Sequence, residues 1–220
     1  MELKNKIVIG LCCLASIASA QEVVTLGTFG FVKNAHTNTY HISGMQFDNS
    51  PSNTPEIVYG DSLPLGSKIY AWNGSGYDIS EYNEFWEPPN IVTKWSSDPE
   101  LGNGEGYWVE VPVSTNTVLS GDVPMDDAIT NSIVAGFQIC SYPYPVDRVV
   151  TNLGFTPALG DKIYVWNGST YTFSEYNEFW EPPNVVTKWN NVLTITAGVG
   201  FWYESSANTN WIVERPFVAN

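Results

Sequence analysis

Short runs of alternating apolar and polar residues, separated by turn-forming residues, recur along most of this chain. The clearest run is Lys162–Trp166, which Asn167-Gly168 separates from a second β-branched and aromatic run at 169–173. Because Asn-Gly accepts the positive φ angles of a type I′ turn, the pattern predicts a β-hairpin here. The same pattern at 68–79 predicts another hairpin with the same turn.

Strands also dominate the rest of the pattern. Outside the first twenty residues no long stretch keeps an apolar period of 3.6, and the one helix that the pattern supports is short, over 146–153. Many short strands with frequent turn residues favour an all-β fold made of small sandwich- or barrel-like modules. Further strands are predicted at 136–141, 185–189, 199–204 and 210–214.

The chain contains an internal repeat. Residues 66–110 align without gaps on residues 160–204, and 28 of these 45 positions are identical. A weaker match extends the repeat backward, with 44–47 over 136–139. A repeat of this kind predicts two tandem copies of one β-module, each near the size of a small domain. The predicted divisions are a signal peptide at 1–20, a first module at 21–121, a linker at 122–131 and a second module at 132–220.

Identity between the copies is uneven. Over 96–110 only 4 of 15 positions match, and these are Gly104, Gly106, Trp108 and Glu110. Because alternate residues of a strand share one face, the four residues are predicted to lie together. The glycines leave room beside the tryptophan for another backbone or ring, so this face is predicted to serve packing.

The first twenty residues have the pattern of a secretory signal peptide. Two lysines precede an apolar run over 7–17, and the small residues Ala18-Ser19-Ala20 follow it. This run is too short to span a bilayer comfortably. Cleavage is therefore predicted after Ala20, with Gln21 as the new N-terminus and a secreted, periplasmic or cell-surface location.

The composition is strongly acidic, with a net charge of −14. Nucleic acids and anionic membranes bind basic patches, so neither is an expected partner. Of the three cysteines only Cys140 lies beyond the predicted cleavage site, so no disulfide can form within the mature chain. A chain of about 200 residues can bury a hydrophobic core that stabilises an exported protein without a disulfide.

The order of motifs resembles modules that occur, often in tandem, in exported bacterial proteins. Their pattern runs Gly-Trp-Asn-Leu, Pro-x-Pro, Gly-Asp-x-Ile-x-x-Trp-x-Gly and Gly-x-Gly-Phe-Trp. The second copy matches at 136–139, 143–145, 160–168 and 198–202, while the first copy departs at Asp48-Asn49-Ser50. The resemblance implies an exported β-module and no activity, and no functional residue is carried over from it.

One segment is the candidate for chemistry. The sequence Ser-Glu-Tyr-Asn-Glu-Phe-Trp-Glu-Pro-Pro-Asn occurs intact at 80–90 and again at 174–184. As a binding segment, its rings would stack on sugars while its carboxylates and amides bond to hydroxyls. Alternatively, Phe85 and Trp86 fill the core and the glutamates are solvated, or three glutamates bind calcium. The candidate ligand-binding residues are Tyr82, Glu84, Trp86, Tyr176, Glu178 and Trp180.

No catalytic residue, metal ligand or cofactor site is predicted. Glu84 and Glu178 could form a glycosidase pair, but equivalent copies start in identical environments, whereas an acid and a base need different ones. His36 and His41 lie in a polar stretch and are predicted to be surface residues.

Three functions remain open. The first is a non-enzymatic β-repeat protein with a surface-structural or interaction role, the second a carbohydrate-binding protein, and the third a glycan-acting hydrolase. Possible partners are a glycan or an extracellular protein. The solvent exposure of Trp86 and Trp180 distinguishes the first two functions. Buried rings would favour a structural role, and exposed rings would favour carbohydrate binding.

Overall fold

The computed structural model describes residues 24–26, 29–37 and 40–217 of the 220-residue chain. The predicted signal peptide and its cleavage site lie outside the described residues. The described part is all-β, as predicted, and its helices are α1 (Pro55–Val58) and a 3-10 turn at Val150–Asn152. The strands are β1 Val24–Leu26, β2 Phe29–His36, β3 Tyr40–Gly44, β4 Lys68–Trp72, β5 Tyr77–Glu87, β6 Asn90–Trp95, β7 Gly106–Glu110, β8 Thr115–Asp122, β9 Ala128–Ile133, β10 Gly136–Ser141, β11 Arg148–Val149, β12 Lys162–Trp166, β13 Tyr171–Glu181, β14 Asn184–Trp189, β15 Thr194–Ile195, β16 Gly200–Ser205 and β17 Thr209–Glu214.

Two five-stranded antiparallel sheets carry the repeat. Their strand orders are β3-β7-β4-β5-β6 and β10-β16-β12-β13-β14, so corresponding strands occupy corresponding places. Smaller sheets join β1, β2 and β8, then β9 and β17, and finally β11 and β15. No helix in the described ranges is long and apolar enough to cross a membrane.

Each five-stranded sheet shares a hydrophobic cluster with a separate strand pair. Val32 of β2 and Leu119 of β8 belong to one cluster with Ile69 and Val109 of the first sheet. Side chains of β9 and β17 belong to a second cluster with Ile163 and Phe201 of the second sheet. Alternation along each strand places these side chains on one face, which explains why the alternating pattern predicted strands well.

The two sheets join through matched contacts. The backbone N–H of Gly44 donates to the carbonyl of Gly198 at 2.9 Å, and that of Ser141 donates to the carbonyl of Gly104 at 2.8 Å. Isolated bridges pair Ser43 with Val199 and Glu105 with Cys140. In each case one partner comes from each copy.

Gly106 and Gly200 make this close approach possible. A Cβ atom on Gly106 would lie 2.4 Å from Cγ2 of Ile139, and one on Gly200 would lie 2.5 Å from Cγ2 of Ile42. Real Cβ contacts are never this short, so only glycine fits. The prediction that these glycines serve packing is confirmed, and the approaching backbone belongs to the other copy.

Local predictions had mixed outcomes. Both hairpins form, but the type I′ turn is wrong, because no residue other than glycine has a positive φ in the described part of the chain. The Asn167 Oδ1 atom instead accepts hydrogen bonds from the backbone of Ser169 and Thr170, at 3.1 and 2.9 Å. The short helix predicted over 146–153 is confirmed only as a 3-10 turn at Val150–Asn152, because β11 occupies Arg148–Val149.

Strand register corrects the weaker part of the repeat alignment. Tyr40 pairs with Glu110 in the first sheet, and Phe137 pairs with Glu204 in the second. Tyr40 is therefore the counterpart of Phe137, whereas the sequence alignment placed Gly44 over Gly136. Strand β9 begins at Ala128, within the range 122–131 that was assigned to the linker.

Candidate functional site

The repeated eleven-residue segment forms part of a long strand rather than a loop. In β5 the residues from Tyr77 to Glu81 pair with β4, and those from Tyr82 to Glu87 pair with β6. No other described strand pairs with this second half of β5. Residues 83–94 therefore form a two-stranded hairpin, here called arm one, and residues 177–188 form arm two in the same way.

One face of each arm carries a tryptophan and is open to solvent. Trp86 lies opposite Ile91 and, two residues back, Glu84 lies opposite Thr93. Because strand side chains alternate, all four share a face. Trp86 and Trp180 are each 66% exposed. The alternative in which Trp86 fills the core is therefore wrong.

The other face of each arm is covered locally. The Lys94 ammonium lies 5.6 Å from the centre of the Phe85 ring and forms an ion pair with Glu87. Arm two repeats this arrangement, with Lys188 over Phe179 at 5.3 Å. These contacts give Glu87 and its counterpart a structural role, which accounts for part of the polar identity between the copies.

The two predicted tyrosines support the arms from their base. Tyr82 is 8% exposed, and its ring lies 5.4 Å from that of Trp95. Tyr176 is half-buried and lies 5.5 Å from Trp189, and its hydroxyl donates to Thr187. The exposed members of the predicted set are therefore Glu84 and Trp86 in arm one, and Glu178 and Trp180 in arm two.

Sequence reasoning missed a second aromatic surface, here called the aromatic belt. It is a closed circuit of ten rings in which neighbouring ring centres are 4.9–6.3 Å apart. A run of outward-facing aromatics on alternate strand positions could have indicated it. Around the circuit the rings are Tyr77, Trp72, Trp202, Phe137, Tyr164, Tyr171, Trp166, Trp108, Tyr40 and Tyr70, and the last contacts the first.

The belt joins the two copies. Trp72 meets Trp202 at 5.6 Å, and Trp108 meets Trp166 at 5.9 Å, so each contact takes one ring from each copy. The Trp166 Nε1 atom also donates to the carbonyl of Tyr40 at 2.8 Å. Edge-to-face ring pairs of this kind each add about 0.5–1.5 kcal/mol beyond area burial.

Carboxylates hold the belt tyrosines. The Tyr70 hydroxyl donates to Glu110 at 2.5 Å, and the Tyr164 hydroxyl donates to Glu204 at 2.6 Å. Burial raises the pKa of both tyrosines above its ordinary value, and these hydrogen bonds raise it further. The phenols are therefore neutral donors.

The prediction that His36 is a surface residue is wrong. Burial alternates along β2, and His36 falls on its inner face with an exposure of 2%. Its Nε2 atom lies 2.8 Å from Oγ1 of Thr117, while Nδ1 is buried with no hydrogen-bond partner among the described residues. Burial lowers the pKa of His36 to about 4, and the neighbouring His41 adds to the effect.

Within the described ranges, no group of three His, Cys, Asp or Glu side chains is placed to hold a metal ion. Glu84 and Glu178 occupy equivalent positions, each opposite a threonine on its own arm. No protein-family model, no curated protein and no solved structure matches this chain. The arms and the belt are therefore the features on which a functional argument rests.

Proposed function

We propose that this chain is an exported, non-enzymatic binding protein whose two arms each bind a neutral glycan. The proposal treats the chain as two tandem copies of one sandwich-like module. Support for the modules comes from the matching strand orders and from the clusters that each sheet shares with its own strand pair. Support for export comes from the signal-peptide pattern at 1–20.

The observation that carries the proposal is the exposure of Trp86 and Trp180. Leaving a large apolar side chain in water forgoes about 1.5–3 kcal/mol of burial free energy. Each tryptophan is 66% exposed and lies beside an exposed aliphatic residue, so each arm carries an unburied apolar pair. A surface of this kind is typical of a binding site.

The neighbours of the tryptophan favour a neutral glycan. An indole ring offers a flat face for a sugar ring, and Glu84 and Thr93 on the same face offer acceptors and a hydroxyl donor. The net charge of −14 disfavours acidic glycans, because like charges repel as the partners approach. In arm two, the Thr187 hydroxyl also accepts a hydrogen bond from the Tyr176 hydroxyl, which fixes the orientation of the Thr187 side chain.

Equivalence of the arms supports binding over hydrolysis. A glycosidase acid and base need environments that separate their pKa values. Glu84 and Glu178 each lie opposite a threonine and two residues from a tryptophan of equal exposure, so the same residue types surround both carboxylates. Two equivalent sites are expected of a protein that binds one glycan at each arm.

The experiment is a glycan array followed by calorimetric titration of the mature chain. We expect Kd values of order millimolar to tens of micromolar per site, which suits a shallow surface. Trp86→Ala and Trp180→Ala should each halve the number of sites, and the double variant should lose binding.

Phe29→Ala is the matched control, because Phe29 is a 50% exposed ring on β2, which belongs to a different sheet from the strands of the arms. It should bind as the wild type does. Absence of any neutral glycan ligand, or equal binding by the folded double variant, would overturn the proposal. Capture of a protein ligand through Trp86 and Ile91 would replace the glycan with an extracellular protein.

A further inference from the structure

We propose that the belt contains two aromatic cages that bind a quaternary ammonium group. Cage two consists of Phe137, Tyr164, Tyr171 and Trp202, which line a cavity of about 360 Å³. Cage one consists of their counterparts Tyr40, Tyr70, Tyr77 and Trp108. This proposal concerns a different surface from the arms and does not depend on glycan binding.

The rings of cage two line an open cavity on one face of the second sheet. Phe137 meets Trp202 at 83° with centres 6.2 Å apart, and Tyr164 meets Tyr171 at 82° with centres 6.3 Å apart. Phe137 and Tyr164 lie 6.0 Å apart. A cation is attracted to a ring face from within about 6 Å of its centre, so a group in this cavity would reach several faces at once.

The cage presents few polar atoms to the cavity. Phe137 has none, and the Tyr164 hydroxyl donates to Glu204. Burial raises the pKa of Tyr171 and the neighbouring Trp202 opposes that rise, while the lining of the cavity is mostly apolar. A ligand in the cavity therefore meets ring faces rather than hydrogen-bonding groups.

This lining selects among ligands. A sugar would leave hydroxyls without partners, and a primary ammonium would lose hydrogen bonds to water, each at a cost of about 1–3 kcal/mol per group. A quaternary ammonium has no N–H to satisfy, yet its positive charge is attracted to the rings. It is the cation that fits a cage lined by ring faces.

The charge around cage two has the matching sign. Glu204 lies directly behind Tyr164, and the charge of Glu175 also acts on that phenol. Lys162 lies 3.5 Å from Glu204 and neutralises one of the two carboxylates. The remaining negative charge, within a chain of net charge −14, favours a cationic ligand.

The cage recurs in the first copy with the same geometry. Tyr40 meets Trp108 at 89° and 6.1 Å, and Tyr70 meets Tyr77 at 84° and 6.1 Å. Tyr40 replaces Phe137, so a ring is kept at this position while a hydroxyl is not. A cage that binds through ring faces requires an aromatic ring at this position and does not require its hydroxyl.

The cage also explains the identities within 96–110. Gly106 is needed where the two copies meet, and Gly104 supplies a carbonyl there. Trp108 is a wall of cage one, and Glu110 accepts the hydroxyl of another wall. The retained residues of this strand thus serve the junction and the cage, while the rest has diverged.

The experiment is calorimetric titration of the mature chain, at low salt, with choline and with 3,3-dimethylbutan-1-ol. These probes have the same shape, and only choline is charged. We expect choline to bind with a Kd of order 0.1–1 mM and the neutral probe to bind at least about tenfold more weakly. Equal binding would show a merely apolar pocket, and no choline binding at tens of millimolar would refute the cage.

Variants test the location. Tyr40→Ala/Phe137→Ala removes two rim rings that are 45% and 53% exposed, so the core should survive, and choline binding should be lost. Phe137→Tyr copies the first cage and should bind as the wild type does, as should Phe29→Ala. Unchanged choline affinity in a folded Tyr40→Ala/Phe137→Ala variant would place the ligand elsewhere and overturn the proposal.

Discussion

His36 is the residue whose burial the sequence concealed. A histidine in a polar stretch is usually exposed, but here it continues the inner row of β2 that Val32 and Asn34 begin. Its exposed neighbours along the strand gave no sign of this, because the face of a strand is decided by the layer packed against it. The second copy has Ile133 at the corresponding register.

Buried His36 should make stability depend on pH. Its pKa is about 4 in the folded protein against 6.5 in the unfolded chain, so the unfolded chain binds more protons between these values. The contribution to stability is therefore complete above pH 6.5 and is lost as pH falls toward 4, by up to about 3 kcal/mol. Urea unfolding at pH 7.5 and at pH 4.5 measures this loss of unfolding free energy.

His36→Gln keeps a partner for Thr117 but cannot titrate. Its loss of unfolding free energy between the two pH values should be smaller than that of the wild type by about 2–3 kcal/mol. An identical loss in both proteins would show that His36 does not titrate as its burial requires.

Asp161 gives a second prediction, because its carboxylate accepts four hydrogen bonds. The donors are the Tyr203 hydroxyl, the backbone and hydroxyl of Ser206, and the backbone of Ala158, at 2.7–2.9 Å. Burial alone would raise the pKa of Asp161, but these bonds outweigh it and lower the pKa. Asp161→Asn should lower the free energy of unfolding by about 2–3 kcal/mol in thermal or urea unfolding.

The first copy supplies a matched control. Ser67 occupies the equivalent position, and its hydroxyl is buried without a partner among the described residues. Ser67→Ala should therefore change stability by less than about 1 kcal/mol, or increase it. A large loss for Ser67→Ala with none for Asp161→Asn would contradict this assignment.

At the scale of elements, the alternation of apolar and polar residues predicted the strands reliably. The turn types, which were predicted from the Asn-Gly pairs, were predicted less well. The strand predicted at 136–141 is β10, and those near β14, β16 and β17 agree within a residue. The Asn-Gly turns differ because Asn73 and Asn167 cap the turn with their side chains and keep a negative φ. Helix α1 was missed, since a single turn starting at Pro55 carries no periodic pattern.

The arms show the limit of segment-level reasoning. Identity of the eleven residues between the copies pointed to the candidate site, and the alternation of Glu84 and Trp86 was present in the sequence. The open face results from two structural facts. Strand β5 extends beyond the end of its neighbour β4, and Lys94 covers the other face of the arm. Neither fact follows from the pattern of the segment alone.

Gly106 tests the junction between copies at the level of strand packing. A methyl group there would meet Ile139 at 2.4 Å and the carbonyl of Cys140 at 2.8 Å. Gly106→Ala should lower the free energy of unfolding by roughly 2–3 kcal/mol, because a close-packed backbone cannot yield without shifting. Differential scanning calorimetry would measure the loss.

Gly76→Ala is the control, since nothing lies within 4 Å of a Cβ at that turn position. It should be neutral or slightly stabilising, because alanine restricts the unfolded chain. Equal melting temperatures for the two variants would mean that the copies do not pack through Gly106.

For the whole molecule, duplication creates features that neither copy has by itself. The belt closes only because Trp72 meets Trp202 and Trp108 meets Trp166. Periodicity within one strand cannot reveal such contacts, which explains why the sequence indicated packing at Trp108 and did not indicate the belt. The result is one molecule with paired arms and paired cages.

Indole proton and nitrogen spectra would test glycan binding by the arms most directly. The mature chain contains all nine tryptophans, and each gives its own indole signal. On titration with neutral hexasaccharides of glucose, xylose and mannose, the signals of Trp86 and Trp180 should shift together, while the buried Trp211 should not. Shifts confined to the belt tryptophans, or no shift with any of these sugars, would contradict the account. The belt tryptophans are Trp72, Trp108, Trp166 and Trp202.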